Sequence, residues 1–211
     1  MPHTSRPAAE ALPHDAIALR FADAADAEII AALAIHVFLD TYATAGTLPD
    51  LAAEAFAEYG VEAFRLRLAE PHRKFLLAEQ GAGLIGFAEM LTSAREAPGA
   101  RLLGAELVRL YVQPRAQRRG IGRALLRQVE AIAIDAGLSA LWFTVWEGNA
   151  NALAFYAAQG YATKATAIYS FRGRHYHNHL MARALLHSAA RDADTQKTLD
   201  FPGLIELHKK K

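Results

Sequence analysis

Cysteine is absent from all 211 residues of the chain. This absence excludes disulfide bonds, a thiolate nucleophile and sulfur-ligated metal sites, and it fits a cytoplasmic protein. An excess of charge of one sign is also missing, because 23 Lys and Arg stand against 22 Asp and Glu, for a formal net charge of +1. So balanced a chain produces no strong field for nucleic acid or for an anionic membrane, and we expect neither as a partner.

Long apolar runs are missing as well. The longest, residues 29–35, is far shorter than the roughly 20 residues of a membrane-spanning helix. Residues 1–15 lack the apolar centre of a signal peptide. Hydrophobic residues nevertheless make up 53% of the chain, which is enough to bury one sizeable core. We therefore predict a flexible extension over residues 1–15, one domain over residues 16–186 and a polar tail over residues 187–211, either flexible or ending in a short docked helix.

The most informative stretch covers residues 107–126. Residues 107–112 are rich in β-branched and aromatic side chains, which predicts a strand, and Pro114 ends it. A turn with two glycines follows, and then a helix-forming run. Because the start of a helix has unpartnered N–H groups and a positive dipole end, this arrangement predicts an anion site, most naturally for phosphate. Gly120 and Gly122 allow an anion to approach the main chain closely. The arginines that reinforce the preference are Arg115, Arg118, Arg119 and Arg123.

Two familiar phosphate loops do not match these residues. A Walker loop needs Lys and then Ser or Thr after its last glycine, whereas Arg123 and Ala124 follow Gly122. The dinucleotide-binding fingerprint needs Gly or Ala three residues after its second glycine, and Leu125 stands there. The sequence therefore predicts a phosphate loop of another kind.

A second stretch, residues 141–161, narrows the choice. A predicted buried strand over residues 141–146 is followed by the pattern Asn-x-x-Ala-x-x-Phe-Tyr-x-x-x-Gly-Tyr, which begins at Asn149 and ends at Tyr161. The loop carries the pattern Gln/Arg-x-x-Gly-x-Gly. In this order, the two patterns resemble the coenzyme A signatures of the GNAT acetyltransferase superfamily. The resemblance covers residues 17–185.

The resemblance implies a mixed α/β fold. Helices flank a twisted, mostly antiparallel sheet, and two central strands splay apart to admit the cofactor's pantetheine arm. It implies acetyl-CoA (coenzyme A) as the cofactor, with its diphosphate on the loop. The implied cofactor-binding residues are Leu110, Tyr111, Val112, Gln117, Arg118, Arg119, Gly120, Ile121, Gly122, Arg123, Asn149 and Asn151.

Local patterns agree with this order of elements. A helix ends near residue 41, and a second helical stretch over residues 51–70 is interrupted near Gly60, with Asp50 as its predicted cap. Residues 75–78 and 84–88 read as a hairpin. Residues 93–100 are predicted to form a surface loop, and residues 166–171 and 180–185 read as closing strands around Gly173.

Two residues are candidates for acid–base chemistry. By resemblance, Tyr156 protonates the departing thiolate, since a phenol with a pKa of about 10 stays protonated at neutral pH. The other interpretation of Tyr156 is a core residue packed beside Phe155. Glu106 heads the central strand, and strict alternation puts it on the face of Leu110 and Val112, toward the substrate. It is either a base acting through water or a solvated charge at the end of a strand.

Main-chain and amide groups complete the implied site. The N–H groups that stabilise the carbonyl oxygen are implied to come from Leu110, Tyr111 or Val112. Asn149 resembles the side chain that bonds the pantetheine arm. It also suits the N-cap of the following helix, and the two roles are compatible.

His175, His177 and His179 alternate along one predicted strand and share a face. Three imidazoles are the start of a metal site, but no nearby Asp, Glu or Cys completes the set. The resemblance implies no metal in catalysis. We therefore expect no metal ion and interpret this strand as polar, with the possibility that it faces the substrate.

The acceptor is the least determined feature. Residues 38–42 resemble an element of a GNAT subgroup that includes PaiA-type polyamine acetyltransferases, which implies that Phe38 and Tyr42 contact the substrate. Acidic residues nearby either attract a polycation or are solvated; they are Asp40, Asp50, Glu54 and Glu58.

We therefore expect an N-acetyltransferase that acts on a primary amine of a small molecule, polyamines among them, by direct attack in a ternary complex. A homodimer is compatible with the sequence. The alternatives are a non-catalytic acyl-CoA-binding or regulatory module, and a protein N-terminal or lysine acetyltransferase.

Overall fold

The computed structural model describes residues 16–171, 174–185 and 204–207. The strands are β1 (Ile17–Phe21), β2 (Arg73–Gln80), β3 (Gly83–Ala97), β4 (Leu102–Val112), β5 (Ala140–Trp146), β6 (Ala162–Phe171), β7 (Arg174–Ala184) and β8 (Leu204–Leu207). The helices are α1 (Ala27–Tyr42), α2 (Pro49–Tyr59), α3 (Val61–Leu68), α4 (Ile121–Asp135) and α5 (Ala150–Ala158). The predicted N-terminal extension, the turn at Gly173 and most of the predicted tail lie outside the described residues.

One sheet contains all the strands, in the order β1–β2–β3–β4–β5–β7–β6–β8. Neighbouring strands run antiparallel except for β4 beside β5 and β6 beside β8. Helices cover both faces of this sheet. The predicted fold class, a mixed and mostly antiparallel sheet flanked by helices, is confirmed.

The central strands β4 and β5 pair at only two positions. Ala105 pairs with Leu141 and Glu106 with Trp142, and β4 then continues to Val112 beside β3 alone. β5 continues beside β7. The outer edge of β4 therefore faces a gap where a neighbouring strand would stand. The predicted splay of the central strands is confirmed.

Alternate side chains of the sheet form two cores. On one face, α4 buries Ile121, Leu125 and Val129 against the sheet, and α5 packs beside it. On the other face, α1 and α3 bury Ile30 and Phe64. Each such side chain contributes about 1.5–3 kcal/mol when it leaves water. Within the described part of the chain, none of the helices has the length and the apolar run needed to cross a bilayer.

A β-bulge in β4 corrects the predicted orientation of Glu106. Leu107 and Arg109 stand opposite two consecutive residues of β3, so Val108 is an extra residue. The bulge shifts the alternation by one, and Leu107 and Leu110 both contact the core under α4. Glu106 lies with Arg109 on the other face, under α1–α3. The prediction that Glu106 shares a face with Leu110 and the end of β4 was wrong.

Three further local predictions were wrong. Most of the predicted surface loop over residues 93–100 is strand, because β3 runs to Ala97. Asp50 is not the cap of α2: Leu48 is the N-cap and Pro49, whose fixed φ suits a first helical position, starts the helix. Within the tail, Leu204–Leu207 form β8 beside β6, so the short docked helix, one of the two alternatives for the tail, is wrong for these residues.

Candidate functional site

The loop between β4 and α4 has the backbone geometry of an anion site. Gly120 is the N-cap of α4 and brings no side chain to the N–H groups of the first turn. Arg118 and Gly120 both have left-handed backbone, with φ of 60° and 84°. Glycine adopts this conformation freely, whereas for Arg118 it costs on the order of 1–2 kcal/mol. Arg119 and Gly120 are exposed, so the N–H groups of this loop are accessible to a ligand.

The arginines around this loop have no carboxylate partner, unlike most of the other described arginines. Among the described residues, seven arginines form ion pairs: Arg20, Arg65, Arg67, Arg73, Arg95, Arg109 and Arg183. Within the same described ranges, the arginines of the loop and of α4 form none: Arg115, Arg118, Arg119, Arg123 and Arg127. A nearly neutral chain therefore concentrates uncompensated positive charge at one place, beside the positive end of a helix dipole.

Two contacts join the loop to the other predicted motif. The side-chain amide of Gln117 donates to the carbonyl oxygen of Val112 at 3.3 Å, which ties the loop to the end of β4. A Cβ on Gly122 would lie 3.4 Å from the ring of Phe155 in α5. The start of α4 and the aromatic face of α5 are therefore in close contact. The structure brings together the two patterns that the sequence separates by a helix and a strand.

Main-chain groups of β4 line the gap between the splayed strands. The N–H of Gln113 donates to the carbonyl oxygen of Ile85 in β3 at 2.9 Å. Alternation along the strand directs the N–H of Tyr111 to β3 as well, and directs the N–H groups of Leu110 and Val112 into the gap. Of the three predicted main-chain donors, Leu110 and Val112 therefore face the gap and Tyr111 does not.

Tyr156 lies in the core on the α4–α5 face. Its ring centroid is 4.1 Å from that of Phe143 and 6.1 Å from that of Tyr161, and the residue is 7% exposed. Burial alone raises the pKa of the phenol above its usual value. The hydroxyl therefore stays protonated at neutral pH. Tyr156 therefore packs in the core, as one of the two interpretations of the sequence expected. This packing is compatible with a role of Tyr156 as the general acid.

The two asparagines of the second motif differ in their surroundings. The side chain of Asn149 accepts a hydrogen bond from the N–H of Ala152 at 3.0 Å, so it is the N-cap of α5 as predicted. That bond uses the side-chain oxygen and leaves the amide NH₂ for a ligand. Asn151 is exposed on the first turn of α5.

Glu106 stands at the point where β4 and β5 part. Its carboxylate forms an ion pair with the guanidinium of Arg95, with an N···O distance of 3.1 Å, and its side chain is 24% exposed. Burial raises the pKa of Glu106 above its usual value, and the charge of Arg95 opposes that rise. The carboxyl group therefore titrates closer to neutrality than a solvated glutamate. This is the property expected of a general base.

Aromatic rings line the α1–α3 side of the gap. Phe38 and Tyr42 are 5.0 Å apart at the end of α1, and Tyr42 is 5.4 Å from Trp146 of β5. Phe38 also lies 4.8 Å from Tyr59 of α2, whose hydroxyl is 3.1 Å from that of Tyr111. The predicted substrate residues Phe38 and Tyr42 are thus brought together. The sequence analysis did not identify Tyr59 or Trp146. Trp146 lies four residues after Trp142, the residue that pairs with Glu106, so alternation along the strand puts both tryptophans on one face of the sheet. This spacing is the signal that points to Trp146.

The predicted acidic set is not free to bind a polycation as a group. Glu58 accepts bonds from Arg67 and Arg109, and it belongs to a buried network with Glu89 and Arg73. Asp50 and Glu54 also have partners. The acidic side chains under α1–α3 are therefore largely committed to the structure.

The three histidines of β7 alternate as predicted. His175 and His177 are exposed, and His179 is half-buried with a buried Nδ1 that has no hydrogen-bond partner. Across residues 16–171, 174–185 and 204–207, no group of three or more His, Asp or Glu is arranged to hold a metal ion.

Comparison with known proteins assigns the family. The profile of the Acetyltransferase (GNAT) family matches residues 44–161, which is more than half of the chain. The chain belongs to the GNAT acetyltransferase family. The prediction of an acyltransferase of this superfamily is thereby confirmed.

Individual GNAT proteins resemble the chain over different spans. An IAA acetyltransferase of Azospirillum brasilense is 34% identical over 97 residues, or 46% of this chain and 60% of that relative's own length. PaiA N-acetyltransferase from Thermoplasma acidophilum, solved in complex with coenzyme A, has a TM-score of 0.67 and 22% identity over 80% of this chain and 99% of its own. YncA from Salmonella typhimurium, solved with acetyl-CoA, has a TM-score of 0.57 and 26% identity, and the match covers 85% of this chain and 100% of YncA.

Proposed function

We propose that this GNAT protein is an acetyl-CoA-dependent N-acetyltransferase that acylates a primary amine of a small molecule by direct attack in a ternary complex. The observation that carries the proposal is the splay of β4 and β5, which leaves the N–H groups of Leu110 and Val112 without strand partners. Two further features support it: the exposed left-handed loop at the start of α4, and the buried phenol of Tyr156 on α5, which packs on Phe143 of β5.

The residues present fit coenzyme A. The loop from Arg118 to Gly122 presents main-chain N–H groups and unpaired guanidinium groups, which suit a diphosphate. The inward N–H groups of β4 and the free amide of Asn149 suit the amide groups of a pantetheine arm lying in the gap. YncA, which holds acetyl-CoA, supports the same cofactor here. When bound, acetyl-CoA supplies an acyl group activated as a thioester.

Two side chains would move the protons of the reaction. Tyr156 keeps its proton at neutral pH and donates it to the sulfur that leaves. Glu106 is half-buried, and its burial raises the pKa of the carboxyl group. It would accept a proton from the amine through water. Of the two inward N–H groups, of Leu110 and Val112, one would donate to the carbonyl oxygen of the acyl group, and the other is left for the pantetheine arm.

The surroundings of the gap on the α1–α3 side support an amine with a second cationic group, such as a polyamine. Tyr42 and Trp146 are partly exposed, and aromatic rings attract ammonium groups. Phe38 is buried and packs against Tyr42 from behind. The arginines on this side are paired with carboxylates, so a negatively charged acceptor finds no free guanidinium among them. These are Arg67, Arg73, Arg95 and Arg109.

Release of free thiol from acetyl-CoA tests the proposal. The full-length protein would be assayed with a polyamine, a monoamine of equal length, an amino acid and a short peptide with a free N-terminus. We expect the highest kcat/KM with the polyamine. If only the peptide raises thiol release, the protein is an N-terminal acetyltransferase. If acetyl-CoA binds by calorimetry and none of the amines raises thiol release, the enzyme proposal fails and a binding module remains.

A further inference from the structure

The hairpin formed by β3 and β4 extends beyond the end of β2. β2 begins at Arg73, which pairs with Leu91, whereas β3 continues to Ala97. The register of β3 against β4 shifts between Leu91 and Arg95, so residues 92–94 lie outside the ladder. Extra residues in one strand of a ladder bend the pair. Residues 95–104, the distal hairpin, therefore follow a bend in the sheet.

The distal hairpin packs on β5 and β7. Its Ala97 and Ala100 are buried in one cluster with Trp142 of β5 and Leu180 of β7. At Gly104 the hairpin approaches the backbone of β5 closely, because a Cβ at this position would lie 2.5 Å from a carbonyl oxygen of that strand. The packing fixes the distal hairpin over β5.

Trp142 joins the distal hairpin to the candidate base. Its main chain pairs with that of Glu106 at the last paired position before β4 and β5 part. Trp142 is 4% exposed, and its indole N–H donates to the main-chain carbonyl oxygen of Arg95 at 3.3 Å. The guanidinium of Arg95 in turn forms the ion pair with Glu106, at 3.1 Å. One buried residue therefore contacts the main chain of both members of the ion pair.

The bond from Trp142 matters because Arg95 is otherwise free to move. The side chain of Arg95 is 52% exposed, and exposed ion pairs are weak because they restrict long side chains. The bond fixes the main chain from which this side chain extends, so fewer of its conformations point away from Glu106.

The other charges near Glu106 are committed to one another. Arg73, Glu89 and Arg109 lie near enough to act on its carboxyl group. Both of these arginines are paired with the buried Glu89, so their charges are largely compensated. Arg95 pairs with Glu106 alone among the residues that the structure describes. The guanidinium of Arg95 is therefore the main charge that favours ionised Glu106.

We infer that Trp142 is a positioning residue for the proposed acetyl transfer, because it holds Arg95 beside Glu106 and thereby keeps the base ionised and oriented. The inference rests on the proposed function, in which Glu106 accepts a proton from the amine. When the hold on Arg95 is lost, its guanidinium spends less time at the carboxylate, and the pKa of Glu106 rises. The distal hairpin, and not β4 alone, then sets the lower pH limit of activity.

The pH dependence of kcat/KM in the full-length protein tests the inference, with acetyl-CoA and the best amine of the panel. Trp142→Phe keeps an aromatic ring and removes the N–H donor. We expect its acid limb at higher pH, in the direction of Arg95→Gln. The rate on that limb falls by at most about tenfold, since one neutral hydrogen bond contributes no more than about that factor. Above the limb, the rate stays near that of the wild-type protein.

Three further proteins separate the bond from the packing. Trp142→Phe combined with Arg95→Gln should match Arg95→Gln alone, because both changes act through the same guanidinium. Leu180→Val is the matched control, since it disturbs the same cluster and leaves the N–H bond in place, and we expect its acid limb at the wild-type pH. Benzothienylalanine at position 142 replaces the indole N–H by sulfur and keeps the shape of the side chain. It should shift the limb as Trp142→Phe does, and it replaces that variant if Trp142→Phe does not fold.

An acid limb at the wild-type pH in both proteins altered at position 142 overturns the inference and leaves the proposed function intact. An equal shift in Leu180→Val does the same, and so does a shift in the double variant beyond that of Arg95→Gln. If the wild-type protein acetylates none of the amines, the proposed function itself fails, and the inference with it.

Discussion

The two faces of the splayed sheet use arginine in opposite ways. Under α1–α3, Arg109 is buried between the carboxylates of Glu58 and Glu89, and Glu89 is fully buried and also paired with Arg73. On the other face, the arginines at the start of α4 have no acidic partner among the described residues. The first set holds helix α2 to the sheet. The second set is available to a ligand.

This difference shows why net charge alone said little about the ligand. The chain carries 23 basic and 22 acidic side chains, and a sum of +1 excludes a strong overall field. The acidic side chains that form ion pairs do so with arginines outside α4 and its loop. Positive charge is therefore locally in excess at the phosphate loop. Pairing, which depends on the fold, separates a structural arginine from a binding arginine. Each of the following predictions tests this division.

The largest effect is expected at the buried network under α1–α3. Arg109→Met removes one of the two arginines paired with the buried Glu89 and one of the arginine partners of Glu58. Leaving a buried charge with fewer partners costs about 3–5 kcal/mol in the free energy of unfolding, which urea denaturation measures. Arg65→Met is the control, because its pairs with Glu28 and Glu62 are exposed and contribute about 0–1 kcal/mol. Equal losses in both variants would contradict a structural role specific to Arg109.

The next effect concerns the phosphate loop. Gly120→Asp strains a backbone with φ of 84° and adds a negative charge where we expect a diphosphate. Affinity for coenzyme A should fall more than a hundredfold by calorimetry, equivalent to about 3 kcal/mol. Gly81→Asp, at a turn with φ of 58° and open space around it, carries similar strain away from the loop. A similar loss of affinity in both variants would show that strain, and not the loop's charge, is responsible.

A smaller effect is expected at the phenol buried on the α4–α5 face. Tyr156→Phe keeps the packing on Phe143 and removes the proton donor. Turnover should fall about a hundredfold with unchanged affinity for coenzyme A. Tyr161→Phe removes a hydroxyl that donates to Glu130 at 2.7 Å, so it should cost about 1 kcal/mol of stability and leave turnover intact. Wild-type turnover in Tyr156→Phe would leave Tyr156 as a core residue only.

The smallest effect is a shift in pH dependence. Burial raises the pKa of Glu106 and Arg95 lowers it, so Arg95→Gln raises it further. A base acts when deprotonated, and the acid limb of the pH–rate profile should therefore move to higher pH. Glu106→Gln should remove this limb altogether. An acid limb that is the same in all three proteins would exclude Glu106 as the base.

The sequence predicted the site better where its residues are neighbours in the chain. The loop, its two glycines and the cap at Asn149 follow from local hydrogen bonding, and each lies where the pattern indicated. The orientation of Glu106 did not follow, because it depends on a bulge at Val108 that exists only relative to β3. The substrate side was predicted in part. Phe38 and Tyr42 belong to one helix, but Tyr59 and Trp146 reach them from elements far along the chain.

By itself, the sequence determined the order of strands and helices, the anion loop before α4 and the family. These properties depend on side-chain periodicity and on backbone groups within a few residues of one another. Only the tertiary structure decided which arginines are paired, which main-chain groups of β4 face the gap and which side of the sheet Glu106 occupies. Those outcomes depend on contacts such as Arg109 with Glu58, 51 residues apart, whose formation depends on how the strands and helices pack together.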